Sequence, residues 1–148
     1  MGFQERSAWM CLISILLVQV PYFAWTTPLF LVGPVPIARL LPSLTLAVLL
    51  QSGFSIAVHV LIARQADPRL HDERDDAIAA ASVRRAYFVL MVSLVPVFAL
   101  AMIYERTISV AAMIQLLFAD WVLAELVRYA SQCWDYRRSV AGLQDRDA

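Results

Sequence analysis

Residues Asp67 to Arg85, DPRLHDERDDAIAAASVRR, form the long polar stretch of a chain that is otherwise mostly apolar. The stretch has five acids within ten residues and ends on two adjacent arginines. The apolar sequence on each side of it is long enough for two helices that cross a membrane. The polar stretch therefore divides the chain into two hydrophobic hairpins and predicts that their inner ends lie on one side of a membrane.

The composition agrees with a membrane protein and argues against a soluble domain. Of 148 residues, 61% are hydrophobic, the mean hydropathy is +0.67 and the formal net charge is zero. A soluble domain has about 45–50% apolar residues, and these alternate with polar residues or form stripes instead of long uninterrupted segments. A lipid bilayer is therefore an expected partner, and with no basic stripe on the chain, nucleic acid is not.

We predict an all-α fold, an integral membrane four-helix bundle that forms a single domain over 1–148. The second span is the richest in small and hydroxyl residues, which let helices approach closely, so we expect it at the centre of the bundle. We place the other segments, a polar helical segment and a tail, on the cytoplasmic side. The predicted spans are 8–25, 40–63, 86–104 and 108–127, the polar segment is 64–85 and the tail is 128–148.

Two stretches next to the spans have unusual patterns. Three prolines and a glycine within 26–38 argue against a regular helix there, which leaves an interfacial segment or a re-entrant one. From Glu73 the helical pattern continues to Tyr104, about 48 Å of helix against a hydrocarbon core of about 30 Å. The third helix should therefore protrude into the cytoplasm, and the fourth should continue to Trp134 or beyond.

The arginines predict the orientation of the bundle. Arginine concentrates in cytoplasmic loops, so both termini and the polar stretch should be cytoplasmic, in the inner membrane of a bacterium. On the outer side we find only Arg39 and Arg106 near the span ends. The expected inner side has Arg6, Arg64, Arg69, Arg74, Arg84, Arg85, Arg128, Arg137 and Arg138.

The polar stretch has three interpretations. Acids in the first turn of a helix complement its dipole, so a solvated helix start is the simplest. Carboxylates beside His71 could bind a divalent metal, but no known metal-binding spacing is present, and we predict no metal or cofactor. The same surface could dock a cytoplasmic partner. The docking candidates are Asp72, Glu73, Arg74, Asp75 and Asp76.

Ionisable residues within the spans are costly and mark candidate functional positions. His59 and Asp120 lie at similar depths on the second and fourth spans, so they can pair, either as a structural hydrogen bond or as a proton or ion site. Glu125 and Arg128, three residues apart, can form an ion pair near the inner interface. Since no nucleophile, phosphate-binding loop or dinucleotide motif is present, we expect no enzyme.

Two short segments of the chain form a recognisable pattern. Their residues are Asp72, Glu73, Arg74, Asp75, Ile78, Ser82, Arg84 and Tyr87, and at the start Phe3, Glu5, Arg6, Ala8 and Trp9. With these segments the chain resembles a family of uncharacterised small bacterial membrane proteins with four helices and a D-E-R-D segment before the third. The resemblance implies a domain of unknown function and transfers no catalytic residue.

Two functions remain open at this point. The first is a structural, accessory or regulatory membrane protein with a cytoplasmic docking segment. The alternative is a small proton- or ion-coupled transporter that uses His59 and Asp120. Four short helices can barely enclose a pathway, so we expect a homo-oligomer or a membrane or cytoplasmic protein partner in either case.

Overall fold

The computed structural model is helical throughout almost all of the residues it describes, which are 3–63, 73–104 and 108–144, with side chains over 5–61, 74–104 and 108–138. Each described helix is long and apolar enough to cross a membrane. The prediction of an all-α protein with four helices of this kind is therefore confirmed. The helices are α1 (Phe3–Val32), α2 (Ile37–Ala63), α3 (Glu73–Ile103) and α4 (Val110–Gln144).

The helices pack in the order α2, α1, α4, α3. The most extensive contact joins α3 to α4, and α1 lies between α2 and α4. Contacts between α2 and α4 are sparse, and over the described residues α3 packs substantially against α4 alone. Consecutive helices run antiparallel, because Arg85 and Ser93 of α3 meet Asp135 and Asp120 of α4 respectively. The bundle is therefore open, with α2 and α3 on opposite sides.

The second span is not central, contrary to the sequence prediction. Its buried positions, Leu40, Ala47, Gln51 and Val58, recur at helical spacing and form one stripe. The small residues lie elsewhere on the helix: Gly53 is exposed, and a Cβ added there would meet no atom within 4 Å. Small residues indicate that close packing is possible, but the apolar stripe determines which side of α2 is covered. The central helix is α4.

The prediction for 26–38 is wrong over its first half, because α1 continues through Pro28 to Val32. Only residues 33–36 interrupt the helices there. Thr26 is fully buried, and its hydroxyl donates to the Tyr22 carbonyl of the same helix at 2.9 Å. Its Oγ1 also accepts a hydrogen bond from Gln115 Nε2 at 2.9 Å, which holds this turn against α4. In a lipid environment, a helix that loses one hydrogen bond at a proline still satisfies far more backbone groups than an irregular segment would.

The two long helices extend as predicted. Helix α3 begins at Glu73, and α4 reaches Gln144, ten residues past Trp134. The turn predicted at 105–107 and the segment 64–72 lie outside the described residues. Both α3 and α4 are therefore longer than their apolar portions, and their extra turns lie at the same end of the molecule.

Candidate functional site

The polar end of the molecule is where α1 and α3 begin and α4 ends, over 5–9, 74–85 and 128–138. Side-chain pairs join α3 to α4 there. Arg85 Nη1 lies 2.6 Å from Asp135 Oδ2, in an ion pair with partly exposed side chains. Gln132 Nε2 donates to Ser82 Oγ at 2.8 Å, and the buried Ser82 hydroxyl donates in turn to the Ala79 carbonyl at 2.7 Å. The two helical extensions therefore form one unit.

Helix α1 also contributes to the polar end. The Arg137 guanidinium lies over the Trp9 ring, 4.9 Å from its centroid, which is a cation–π geometry. Glu5 is only 6% exposed, so the start of α1 is packed into this end of the bundle. Three helices thus support the polar end, where the sequence predicted a protruding third helix.

The predicted docking residues occupy the start of α3 and differ in their surroundings. The Asp75 carboxylate accepts a hydrogen bond from the Tyr136 hydroxyl of α4, so this acid helps to join the two helices. Arg74 and Asp76 are exposed. Glu73 is the first residue of α3, and Asp72 lies outside the described residues. A partner would therefore contact the exposed residues Arg74 and Asp76 more than Asp75 itself.

His59 and Asp120 are not brought together. His59 is exposed on α2, and its Nδ1 lies 2.7 Å from the Ser55 carbonyl oxygen of the same helix. Asp120 is 5% exposed, and its Oδ1 accepts a hydrogen bond from Ser93 of α3. The two residues were matched by depth, but depth does not determine on which side of a helix a residue lies. Asp120 lies on the side of α4 that meets α3, away from α2.

The predicted ion pair between Glu125 and Arg128 is confirmed. Arg128 Nη1 lies 3.7 Å from Glu125 Oε1, within one turn of α4. The same guanidinium lies over the Tyr129 ring, 5.3 Å from its centroid. Arg128 therefore has two stabilising contacts on its own helix, and the separation from Glu125 is longer than the roughly 2.7–2.9 Å of a tight charge-assisted hydrogen bond.

A buried network between α1 and α4 was not predicted. The Tyr22 hydroxyl donates to Gln115 Oε1 at 2.6 Å, and Gln115 Nε2 donates to Thr26 Oγ1 at 2.9 Å. All three side chains are buried. The sequence contained a signal for it, since a glutamine within an apolar span needs a partner, but nothing in the sequence specified which helix would provide one.

No known protein-family model, curated protein or solved structure matches this chain. The resemblance to the small four-helix membrane proteins therefore stays a prediction. Within the described residues, no group of three His, Cys, Asp or Glu side chains could hold a metal ion. Asp67, His71 and Asp72, half of the cluster considered for a metal, lie outside those residues.

Proposed function

We propose that this protein is a structural, accessory or regulatory protein of the bacterial inner membrane that docks a cytoplasmic protein on its polar end. The length of α3 and α4 carries the proposal. At 31 and 35 residues they measure about 46 Å and 52 Å, whereas a hydrocarbon core is about 30 Å thick. Several turns of each helix are therefore available to a soluble partner.

The charge distribution supports a cytoplasmic position for the polar end. Arg84 and Arg85 on α3 and Arg128 on α4 lie where these helices would leave the lipid, and Arg137 and Arg138 follow on α4. Arginine is concentrated on the cytoplasmic side of membrane proteins and is attracted to its anionic lipids. The termini would then be cytoplasmic too, as the even number of spans requires.

The side-chain contacts within the polar end support docking, because they fix its shape before any partner binds. A preorganised surface loses less conformational entropy on association than a flexible one. Trp134 of α4 is 63% exposed and Val83 of α3 is 48% exposed, near the level of the Ser82–Gln132 contact. Protein interfaces are enriched in Trp and Arg, and large apolar side chains among charges are typical anchors.

Photo-crosslinking in living cells tests this proposal. A photoreactive amino acid replaces Ala80, an exposed residue of the polar end, and the control position is Ala99, exposed near the far end of α3. We expect a crosslinked species of one defined mass from position 80 and only lipid adducts from position 99. The reason is that position 80 lies on the projecting turns and position 99 lies within the apolar span.

Substitutions then identify the contact. Ala77→Arg places a bulky charge on an exposed turn of the polar end, and Trp134→Ala removes the exposed ring, so each should reduce the crosslink several-fold. The matched control for the ring is Trp25→Ala, because Trp25 is 72% exposed toward the far end of α1. Asp75 is unsuitable for charge reversal since its carboxylate binds Tyr136. The docking proposal would be overturned if position 80 crosslinked to lipid alone. It would also be overturned if Trp25→Ala reduced the protein crosslink as much as Trp134→Ala does.

The coupled transporter remains a second candidate because of Asp120 alone. Its Oδ2 is buried and has no hydrogen-bond partner among the described residues, while its Oδ1 is bound by Ser93. An incompletely satisfied carboxylate at membrane depth is costly, and a proton or ion can remove that cost. His59 takes no part in this version, since it is exposed and bonds to its own helix.

Proton flux into proteoliposomes separates the two roles of Asp120. For transport, Asp120→Asn should abolish the flux that the wild-type protein shows, while the unfolding midpoint stays within a few degrees. For a structural role, the same variant should change the unfolding midpoint, and both proteins should show the flux of protein-free liposomes. Ser52→Ala, a change at an exposed position of α2, controls for reconstitution.

A further inference from the structure

A cavity of about 160 Å³ lies among α1, α2 and α4 and reaches the polar end at Tyr129. Five of its eight lining residues are polar, which is unusual within apolar spans, where polar groups face one another or a functional space. The polar lining residues are Gln19, Gln51, Ser55, Glu125 and Tyr129, and the apolar ones are Ile15, Trp121 and Val122.

Two glutamines of the cavity have unused hydrogen-bonding atoms. Gln19 is 3% exposed, and neither Oε1 nor Nε2 has a partner among the residues that the structure describes. Gln51 Nε2 donates to Ser14 Oγ at 3.3 Å, whereas its Oε1 is buried without a partner. Buried polar groups in native proteins are almost always hydrogen-bonded, so two such amides beside one cavity indicate a polar occupant.

The charge and the aromatic rings of the lining favour a cation. Glu125 supplies a carboxylate, and its contact with Arg128, at 3.7 Å, leaves it able to accept further hydrogen bonds. Trp121 adds an aromatic ring, and the faces of such rings attract ammonium groups. Together with the amide oxygens of Gln19 and Gln51, the cavity presents three strong acceptors.

We propose that this cavity binds a small primary ammonium ion. An ammonium group has three N–H donors, which match the amide oxygens of Gln19 and Gln51 and the Glu125 carboxylate. A cavity of about 150 Å³ holds a molecule the size of benzene, so the ligand should have about six heavy atoms. Of the lining residues only Tyr129 belongs to the polar end, and no variant that tests docking changes it, so the two proposals can fail independently.

Calorimetric titration of the protein in nanodiscs tests the site, with protein-free nanodiscs as the blank for partition into lipid. The probes are n-butylammonium, its neutral analogue n-butanol, and tetramethylammonium, which is a cation of similar size without N–H donors. We expect saturable binding of n-butylammonium only. Glu125→Gln and Gln19→Leu should each weaken that binding about tenfold or more, because each removes one hydrogen-bond partner of the charged group.

Ser52→Ala, outside the cavity, should bind as the wild-type protein does, and the unfolding midpoint of every variant shows whether it is folded. If Glu125→Gln does not fold, Gln19→Leu and Gln51→Leu still test the cavity, since each removes a proposed hydrogen-bond acceptor without removing charge. Equal binding of n-butanol would refute the ligand class. No saturable binding by the wild-type protein, or unchanged binding by all the folded cavity variants, would refute the site.

Discussion

Tyr22, Gln115 and Thr26 form a continuous set of hydrogen bonds in the interface of α1 and α4. The Tyr22 hydroxyl and the Gln115 amide each donate once, and Thr26 Oγ1 both accepts from Gln115 and donates to the Tyr22 carbonyl. A buried network is stabilising only when its members are satisfied. Each of these three side chains donates a hydrogen bond, so the network meets that condition. The rings of Phe23 and Phe118 also pack against the Tyr22 ring, with centroids 5.1 and 5.3 Å away.

We therefore predict strong coupling between Tyr22 and Gln115. Tyr22→Phe and Gln115→Leu should each destabilise the fold by about 1–3 kcal/mol, because each leaves a buried group without its partner. The double variant should lose less than the sum, by about 0.5–2 kcal/mol, since the groups orphaned by one change are removed by the other. Equilibrium unfolding in mixed micelles measures all four proteins.

Tyr87→Phe is the control for that cycle, because Tyr87 is 62% exposed and the same hydroxyl is lost. It should change the free energy of unfolding by less than about 0.5 kcal/mol, as expected of surface substitutions. Strict additivity of the Tyr22 and Gln115 changes would contradict the network.

At the scale of helices, the apolar runs predicted all four helices. The prediction made from the prolines placed the end of α1 too early. The three prolines and the glycine within 26–38 were taken to exclude a helix there, yet Pro28 lies inside α1, as Pro21 does. Proline rules derive largely from soluble proteins, where water can satisfy the freed carbonyl; in lipid, the remaining helical bonds are worth more than the single loss. The start of α3 at Glu73 was predicted correctly, because acids at a helix N-terminus agree with its dipole.

The paired extensions of α3 and α4 should open as a unit that is separate from the spans. Combining Gln132→Leu with Asp135→Asn removes the partners of Ser82 and Arg85, worth roughly 1–2 kcal/mol together. Amide hydrogen exchange over 76–84 should then become about tenfold faster, whereas exchange over 88–97 stays unchanged.

Val83→Ala is the matched control for this change, since Val83 is exposed on the same turns. It should leave exchange over 76–84 within about twofold of the wild-type rate, because it disturbs neither inter-helix contact. Equal acceleration over 88–97 in the double variant would show that the extensions and the spans form one cooperative unit.

At the scale of the whole molecule, hydropathy predicts the depth of each residue in the membrane but not its neighbours. His59 and Asp120 were matched by predicted depth, but in the structure Asp120 bonds to Ser93 of α3 and His59 to its own helix. Which helices touch depends on side-chain packing summed over whole helices, and here α4 lies between α3 and α1. The Glu125–Arg128 pair was predictable because both residues belong to one helix, where spacing alone decides the contact.

The orientation can be tested by labelling cysteines with a membrane-impermeant maleimide. Val32 at the end of α1 is 91% exposed and Ala77 near the start of α3 is exposed, so both positions accept a cysteine without loss of packing. The native Cys11 and Cys133 are buried, at 1% and 3% exposure, and should react slowly. The arginine distribution places Ala77 inside and Val32 outside.

We therefore expect Val32→Cys to be labelled in intact spheroplasts and Ala77→Cys only after permeabilisation. The reverse pattern would show that the protein has the opposite orientation in the membrane. The polar end would then lie outside the cell, where a cytoplasmic partner cannot reach it. If Val32→Cys stays unlabelled even in permeabilised spheroplasts, the end of α1 is within lipid, and the segment after it is re-entrant and not interfacial. Labelling of both variants in denaturant confirms that each cysteine is present and reactive.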